Sequence, residues 1–248
     1  MKSYNTYIFD LDGTLLDTLG DLAASVNYAL RSFDMPQHST DAVRTMVGNG
    51  VRLLMERAVP DGARNPSFDE AFATFRKHYM KHSLDTTCPY DGITELLMAL
   101  KERGCHTAVV SNKFDAATKS LCNHFFSGLI DVAVGEHEAE GIRKKPAPDT
   151  IREALSQLGV GPDNAVYIGD SEVDIATARN SGLPCISVLW GFRSREFLEA
   201  HGATTFVKTP EMLSAYPHPN PQPAGDETPE EDEQTIAPID GDNAVPTL

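Results

Sequence analysis

Four short stretches of the chain carry residues able to do chemistry together. Asp10 and Asp12 are one residue apart and run into Gly13-Thr14-Leu15. Ser111, Asn112 and Lys113 close an apolar run, Thr107-Ala108-Val109-Val110. Lys145 opens Lys145-Pro146-Ala147-Pro148-Asp149, and Asp170 and Asp174 lie in Gly169-Asp170-Ser171-Glu172-Val173-Asp174. Singly, each has a plain explanation: Asp12-Gly13 is a common turn pair and Asp170-Ser171 a common helix cap. Together they offer carboxylates, a hydroxyl and an ammonium group. Carboxylate oxygens are hard donors, suited to magnesium over zinc, and a lysine is a point charge for an anion. Such a set can handle a phosphate ester if the fold brings it to one place.

The surrounding pattern provides that place. Tyr7-Ile8-Phe9 is a short β-prone run ending at Asp10. From Pro89 onward, helical stretches at 93–103, 115–124, 149–158, 174–181 and 194–201 alternate with apolar runs at 107–110, 130–134, 165–168, 185–189 and 204–207. Short continuous apolar strands alternating with helices predict a parallel sheet covered on both faces. In such sheets ligands sit beyond the carboxyl ends of the strands, which is where the acids, Ser111 and Lys113 fall. Residues 17–88 differ. Leu22, Val26, Ala29, Leu30 and later Phe68, Phe72, Phe75, Tyr79 recur at helical spacing, so this block is predicted all-helical. It is interrupted at Gly48-Asn49-Gly50, a break that a continuous helix disfavours.

Composition narrows the function classes. The 248 residues carry a formal net charge of −15 and are 41% hydrophobic, enough for a real core and too acidic for a nucleic-acid or anionic-membrane binder. The length suits one large domain, or one with an insertion. No apolar run is long enough for a signal peptide or a membrane-spanning helix, and the four cysteines are widely spaced, with no CxxC. The expectation is a cytoplasmic protein with free thiols. Residues 217–248 hold eight acids, no Lys or Arg, and seven of the sixteen prolines, which reads as an acidic disordered tail. Deleting them is expected to leave kcat/KM and the thermal midpoint nearly unchanged, checked by steady-state kinetics and a melting curve on the truncated chain.

The four motifs, in that order and each after the right element, resemble those of the haloacid dehalogenase superfamily, over nearly all of residues 4–215. Val47-Gly48-Asn49-Gly50-Val51 and the closing Leu189-Trp190-Gly191-Phe192-Arg193 look like its phosphoglycolate phosphatase branch. The resemblance implies an α/β protein with a three-layer Rossmann-like core, residues 1–16 and 89–216, and an inserted helical cap, 17–88. It implies a Mg2+-dependent phosphatase acting on a small phosphorylated metabolite, with phosphoglycolate first. Pyrophosphate, a nucleoside monophosphate or a sugar phosphate are alternatives, and a non-catalytic regulatory protein is the reading from another class. Asp10 would attack phosphorus, and Asp12 would protonate the leaving group and later activate water. Lys145 would bridge Asp10 and the phosphate. Ser111, Asn112 and Gly13 would meet the phosphoryl oxygens. Asp10, the main-chain carbonyl of Asp12 and Asp170 would hold the metal. Asp174, in competition with Glu172, would hold a water on it or orient Lys145. Asn49 would close over the substrate from a cap loop. A monomer or weak homodimer is expected.

Other residues weigh less. His78 and His82 are four apart on one helix but lack a third ligand in the pattern. Asp17 suits the start of a helix better than the site.

Overall fold

A computed structural model describes residues 3–216 of the chain; the acidic segment 217–248 lies outside the described residues. In chain order the elements are β1 (Thr6–Phe9), β2 (Leu16–Asp17), α1 (Leu19–Ser32), α2 (Thr40–Met46), α3 (Val51–Ala58), α4 (Phe68–His82), β3 (Cys88–Pro89), α5 (Ile93–Glu102), β4 (His106–Phe114), α6 (Asp115–Phe126), β5 (Val132–Glu136), α7 (Asp149–Leu158), β6 (Ala165–Gly169), α8 (Glu172–Ser181), β7 (Cys185–Val188), α9 (Arg195–Ala200), β8 (Phe206–Val207) and α10 (Pro210–Ser214).

Six strands form one parallel sheet in the order β5-β4-β1-β6-β7-β8. The period of two along β1 decides its packing. Tyr7 and Phe9 face one layer, with Leu96 and Leu100 of α5 and Leu121 of α6. Ile8 faces the other, with Ile151 of α7 and Ala178 of α8. This is the α/β sheet with helices on both faces that the apolar runs predict. Among the described residues no helix is long and apolar enough to cross a membrane.

The helices α1 to α4 build a core of their own around Val26, Leu30, Leu54 and Phe75. The chain enters this unit through β2 and leaves through β3, which pair antiparallel as Leu16 with Pro89 and Asp17 with Cys88. Asp21 ties the same junction. Its carboxylate accepts from the N–H and hydroxyl of both Thr86 and Thr87, at 2.6–3.2 Å. Burial would raise its pKa, but these donors outweigh it and hold the carboxyl low. Asp17 accepts from the Leu19 N–H at 3.1 Å, at the start of α1.

Some boundaries differ from the sequence expectation. β4 continues to Phe114, with its register against β5 shifting between Val110 and Phe114; such an irregularity re-aims side chains, here Ser111, Asn112 and Lys113. β5 begins at Val132 because Asp131 turns back to accept from the Thr107 N–H at 2.8 Å. α8 begins at Glu172, since Asp174 Oδ2 accepts from both the N–H and the hydroxyl of Ser171, at 3.1 and 2.6 Å.

Candidate active site

Asp10 follows β1, Ser111 lies in the extension of β4, and Asp170 follows β6, three adjacent strands with their carboxyl ends side by side. The three acids Asp10, Asp170 and Asp174 come together, each with a carboxylate oxygen within 4.8 Å of the others. Lys145 enters from the loop before α7. Its Nζ lies 2.8 Å from Asp10 Oδ1 and 2.8 Å from Asp174 Oδ1, and donates to the Tyr167 hydroxyl at 3.0 Å. All four charged groups are buried.

Their electrostatics follow from that burial. Asp10 is raised above the ordinary carboxylate range, first by desolvation and then by the charge of Asp174, with Lys145 working against both. Asp170 is likewise raised well above it, by desolvation and then by Asp174 and Asp10. Desolvation works against the charge on Lys145, but the two acids overcome it and its pKa rises. One ammonium group thus touches two of three clustered buried carboxyls, and among the described residues the hydrogen bonds to Asp170 come from neutral donors: the Phe192 N–H at 2.6 Å and the Thr14 hydroxyl at 3.4 Å. A divalent cation relieves this kind of repulsion, and an all-oxygen donor set without thiol or imidazole fits magnesium.

Glycine fixes how closely the loops approach Asp170. Gly13 has φ +86°, and a Cβ there would lie 2.5 Å from Asp170 Oδ2. The glycine expected at the phosphate is therefore demanded first by the Asp170 carboxylate. Asp174 and Glu172 also separate. Asp174 has both oxygens engaged, by Lys145, Tyr167 and Ser171, while Glu172 turns away to Arg193 at 3.3 Å.

Asp12 sits one step aside. Both of its oxygens accept from Lys113 Nζ, at 2.8 and 2.9 Å, and Oδ1 also accepts from the Thr18 hydroxyl at 2.7 Å. Lys113 is fully buried at its side chain and lies 4.7 Å from the centre of the Tyr79 ring of α4. Lys113 falls in the expected Ser111-Asn112-Lys113 stretch, but sequence reasoning assigns it no role. A lysine closing an apolar strand beside Ser111 is the signal that could have found it.

Ser111 and Asn112 line the same cavity as Asp10, Asp12, Lys145 and Asp170, with Gly48 and Gly50 facing it from the helical unit. Asn112 Nδ2 is committed to the Lys145 carbonyl at 3.0 Å. Asn49, expected over the substrate, is turned elsewhere. Its Oδ1 accepts from Arg57 at 2.7 Å, and its glycine neighbours line the cavity instead. A pair of hydrogen bonds across to the helical unit is made by a core residue that sequence reasoning took only as part of a closing segment. Arg193 donates to the carbonyls of Arg44 and Val47, at 3.0 and 2.7 Å, while the preceding Phe192 binds Asp170 and packs against the helical core.

Comparison with known proteins adds family evidence to this geometry. The family described as Haloacid dehalogenase-like hydrolase matches residues 7–188. The chain is 36% identical over 186 residues to a phosphoglycolate phosphatase of Aquifex aeolicus, covering 75% of this chain and 84% of that protein. It is 34% identical over 232 residues to one of Rhodospirillum rubrum, covering 88% and 92%. A crystal structure of a putative phosphoglycolate phosphatase from Lactobacillus delbrueckii subsp. bulgaricus superposes with a TM-score of 0.81 at 38% identity, covering 86% of this chain and 98% of that one.

Proposed function

The chain belongs to the haloacid dehalogenase-like hydrolases, and on that premise we propose that it is a magnesium-dependent phosphatase that hydrolyses a small phosphorylated metabolite, phosphoglycolate first, through an aspartyl phosphate. One observation carries the reading: Asp10 stands at the carboxyl end of the central strand, in a buried cavity, against Lys145 and two further acids. Phosphoglycolate comes first because the relatives that cover most of the chain bear that name.

The chain's own residues account for both half-reactions. An oxygen of Asp10 forms a bond to phosphorus while the ester P–O bond breaks. Lys145 holds Asp10 Oδ1, orienting the nucleophile and offsetting charge on the transferring group. Asp12 gives its proton to the departing alkoxide, then takes one from the water that attacks the phosphorus of the aspartyl phosphate. Inorganic phosphate leaves and Asp10 is regenerated. Asp10, Asp170 and the Asp12 carbonyl would hold magnesium, which supplies the positive charge that lets a carboxylate approach an anionic ester. Asp174 keeps Lys145 in place, and Ser111 faces the phosphoryl oxygens. For Asp12 to reach the leaving group it must exchange its contacts with Lys113 and Thr18, both of which lie toward the junction with the helical unit.

The test is phosphate release from a panel: phosphoglycolate, nucleoside monophosphates, sugar phosphates and pyrophosphate. With magnesium, phosphoglycolate is expected to give the highest kcat/KM. Excess chelator is expected to lower turnover at least about a hundredfold, with magnesium restoring it and calcium inhibiting through its looser coordination. Undiminished activity in chelator sinks the metal assignment, and a different winner in the panel sinks phosphoglycolate.

A further inference from the structure

Beside the catalytic cavity, of about 30 Å³, lies a second one of about 220 Å³. It occupies the seam between the helical unit and the core, and the two cavities share Gly50, Val51 and Asn112. Because the two meet at Gly50 and Asn112, an ester whose phosphoryl group lies against Asp10 has the seam as a place for its alcohol portion.

Three cations line the seam, Arg52, Arg76 and Lys144, together with two acids, Glu136 and Glu138. Two of the cations are already paired. Arg52 meets Glu56 at 3.2 Å, and Lys144 meets Glu138 at 2.9 Å. Arg52 also lies over the Phe68 and Phe72 rings, at 5.0 and 5.7 Å, whereas Arg76, on α4, has ring contacts without an ion pair. Its guanidinium lies 4.5 Å from the centre of the core Phe114 ring and 5.9 Å from that of Phe72, and among the described residues no carboxylate pairs with it. Stacking uses the face of a guanidinium and leaves its in-plane N–H donors available. On the core side, the Asn112 Nδ2 bond to the Lys145 carbonyl fixes which end of the amide points where, since that carbonyl can only accept. Asn112 Oδ1 is then left buried with no partner, at the junction of the two cavities. A buried acceptor in that state costs free energy until a donor arrives.

We propose that the seam cavity receives the substrate's leaving group, and that Arg76 pairs with a negative charge carried on it, a carboxylate or a second phosphate. This deepens the phosphatase reading and rests on it. Asn112 Oδ1 takes a hydrogen bond from a hydroxyl or water between the reacting phosphorus and that charge. Esters of anionic alcohols are then selected over esters of neutral ones, because only a charged group gains the charge-assisted hydrogen bonds that the Arg76 guanidinium offers.

The test measures kcat/KM with magnesium for phosphate esters of ω-hydroxy acids of two to five carbons. Each is set beside the neutral diol monophosphate of the same length, and one diol bisphosphate is added. The wild type is expected to favour the charged member by about tenfold to a hundredfold at one or more lengths. Arg76→Ala should remove most of that ratio, Arg76→Glu should invert it, and Arg76→Lys should retain part of it. A bisphosphate that outruns the carboxylates identifies the second anion as phosphate, and the reverse identifies it as carboxylate. If the ratio is the same in wild type, Arg76→Ala and Arg76→Glu at every length, the subsite is wrong while the phosphatase reading stands. If the wild type hydrolyses none of the esters, that reading falls and takes the subsite with it.

Discussion

With an aryl phosphate, Asp12→Asn is expected to give a burst of phenol followed by near silence, while Asp10→Asn gives neither burst nor turnover. Asp10→Asn removes the attacking oxygen's charge, so no acyl phosphate forms with any substrate. Asp12→Asn keeps the nucleophile and removes the proton donor and the later base. An alkyl ester then loses its first step, because a strongly basic alkoxide cannot leave unaided. A phenol of low pKa leaves without that proton, so the first step survives in part and water attack becomes slow. Losses of at least about a hundredfold in steady-state turnover are expected for both variants, in line with general acid–base contributions. Acid-quenched Asp12→Asn protein should carry a phosphate that hydroxylamine removes. The geometry adds a control. Among the described residues Asp12 is the one carboxylate paired with the buried Lys113, and Asn leaves that ammonium without it, so this variant should also melt earlier. Burst amplitude is therefore referred to folded protein. Identical behaviour of the two variants with the aryl ester would show that the division of labour between Asp10 and Asp12 is wrong.

The sheet and the order of its helices were legible because their signals are local. Apolar runs such as Thr107–Val110 and Ala165–Ile168 are too short for helices, and the starts of α5 and α7 follow Gly92 and Pro148, which punctuate the pattern. The acids Asp10, Asp12, Asp170 and Asp174 were legible by spacing, since each motif sits within a few residues of a strand end. Contacts between distant segments leave no such trace. Lys113 and Asp12 are 101 residues apart, and Arg193 and Val47 are 146 apart. No periodicity within a helix or strand encodes either pairing. Tyr167 reads as plain strand core, yet its hydroxyl sits between Lys145 and Asp174. The two-residue ribbon of β2 and β3 is too short to show a period of two. The direction of the Asn49 side chain was not legible for a related reason: the Gly-Asn-Gly break marks a turn, but where its Oδ1 points depends on Arg57 in the next helix.

Lys145→Ala is expected to cost both activity and stability, and magnesium is expected to restore only the second. In the wild type the lysine is, among the described residues, the one cation in contact with Asp10 and Asp174. Removing one member of a buried charge cluster leaves the others desolvated and uncompensated, a cost of about 3–5 kcal/mol. At this chain length that corresponds to a fall of roughly 10 °C in thermal midpoint. The remaining acids respond by taking up protons, as burial and mutual repulsion already drive Asp170 and Asp10 to do. A divalent cation among the same oxygens compensates part of the lost charge, so the midpoint of Lys145→Ala should rise more steeply with magnesium than that of the wild type. Turnover should not recover, because magnesium does not replace the ammonium group that holds Asp10 Oδ1 and faces the phosphoryl group. Lys145→Met, which keeps the stem and removes the charge, should behave like the alanine variant, separating charge from packing. Melting curves of the three proteins across a magnesium series, with kcat/KM on the same samples, give the answer. Equal magnesium dependence in wild type and both variants would mean that the metal does not share the carboxylates that Lys145 holds, and the shared-cluster account of this site would have to be abandoned.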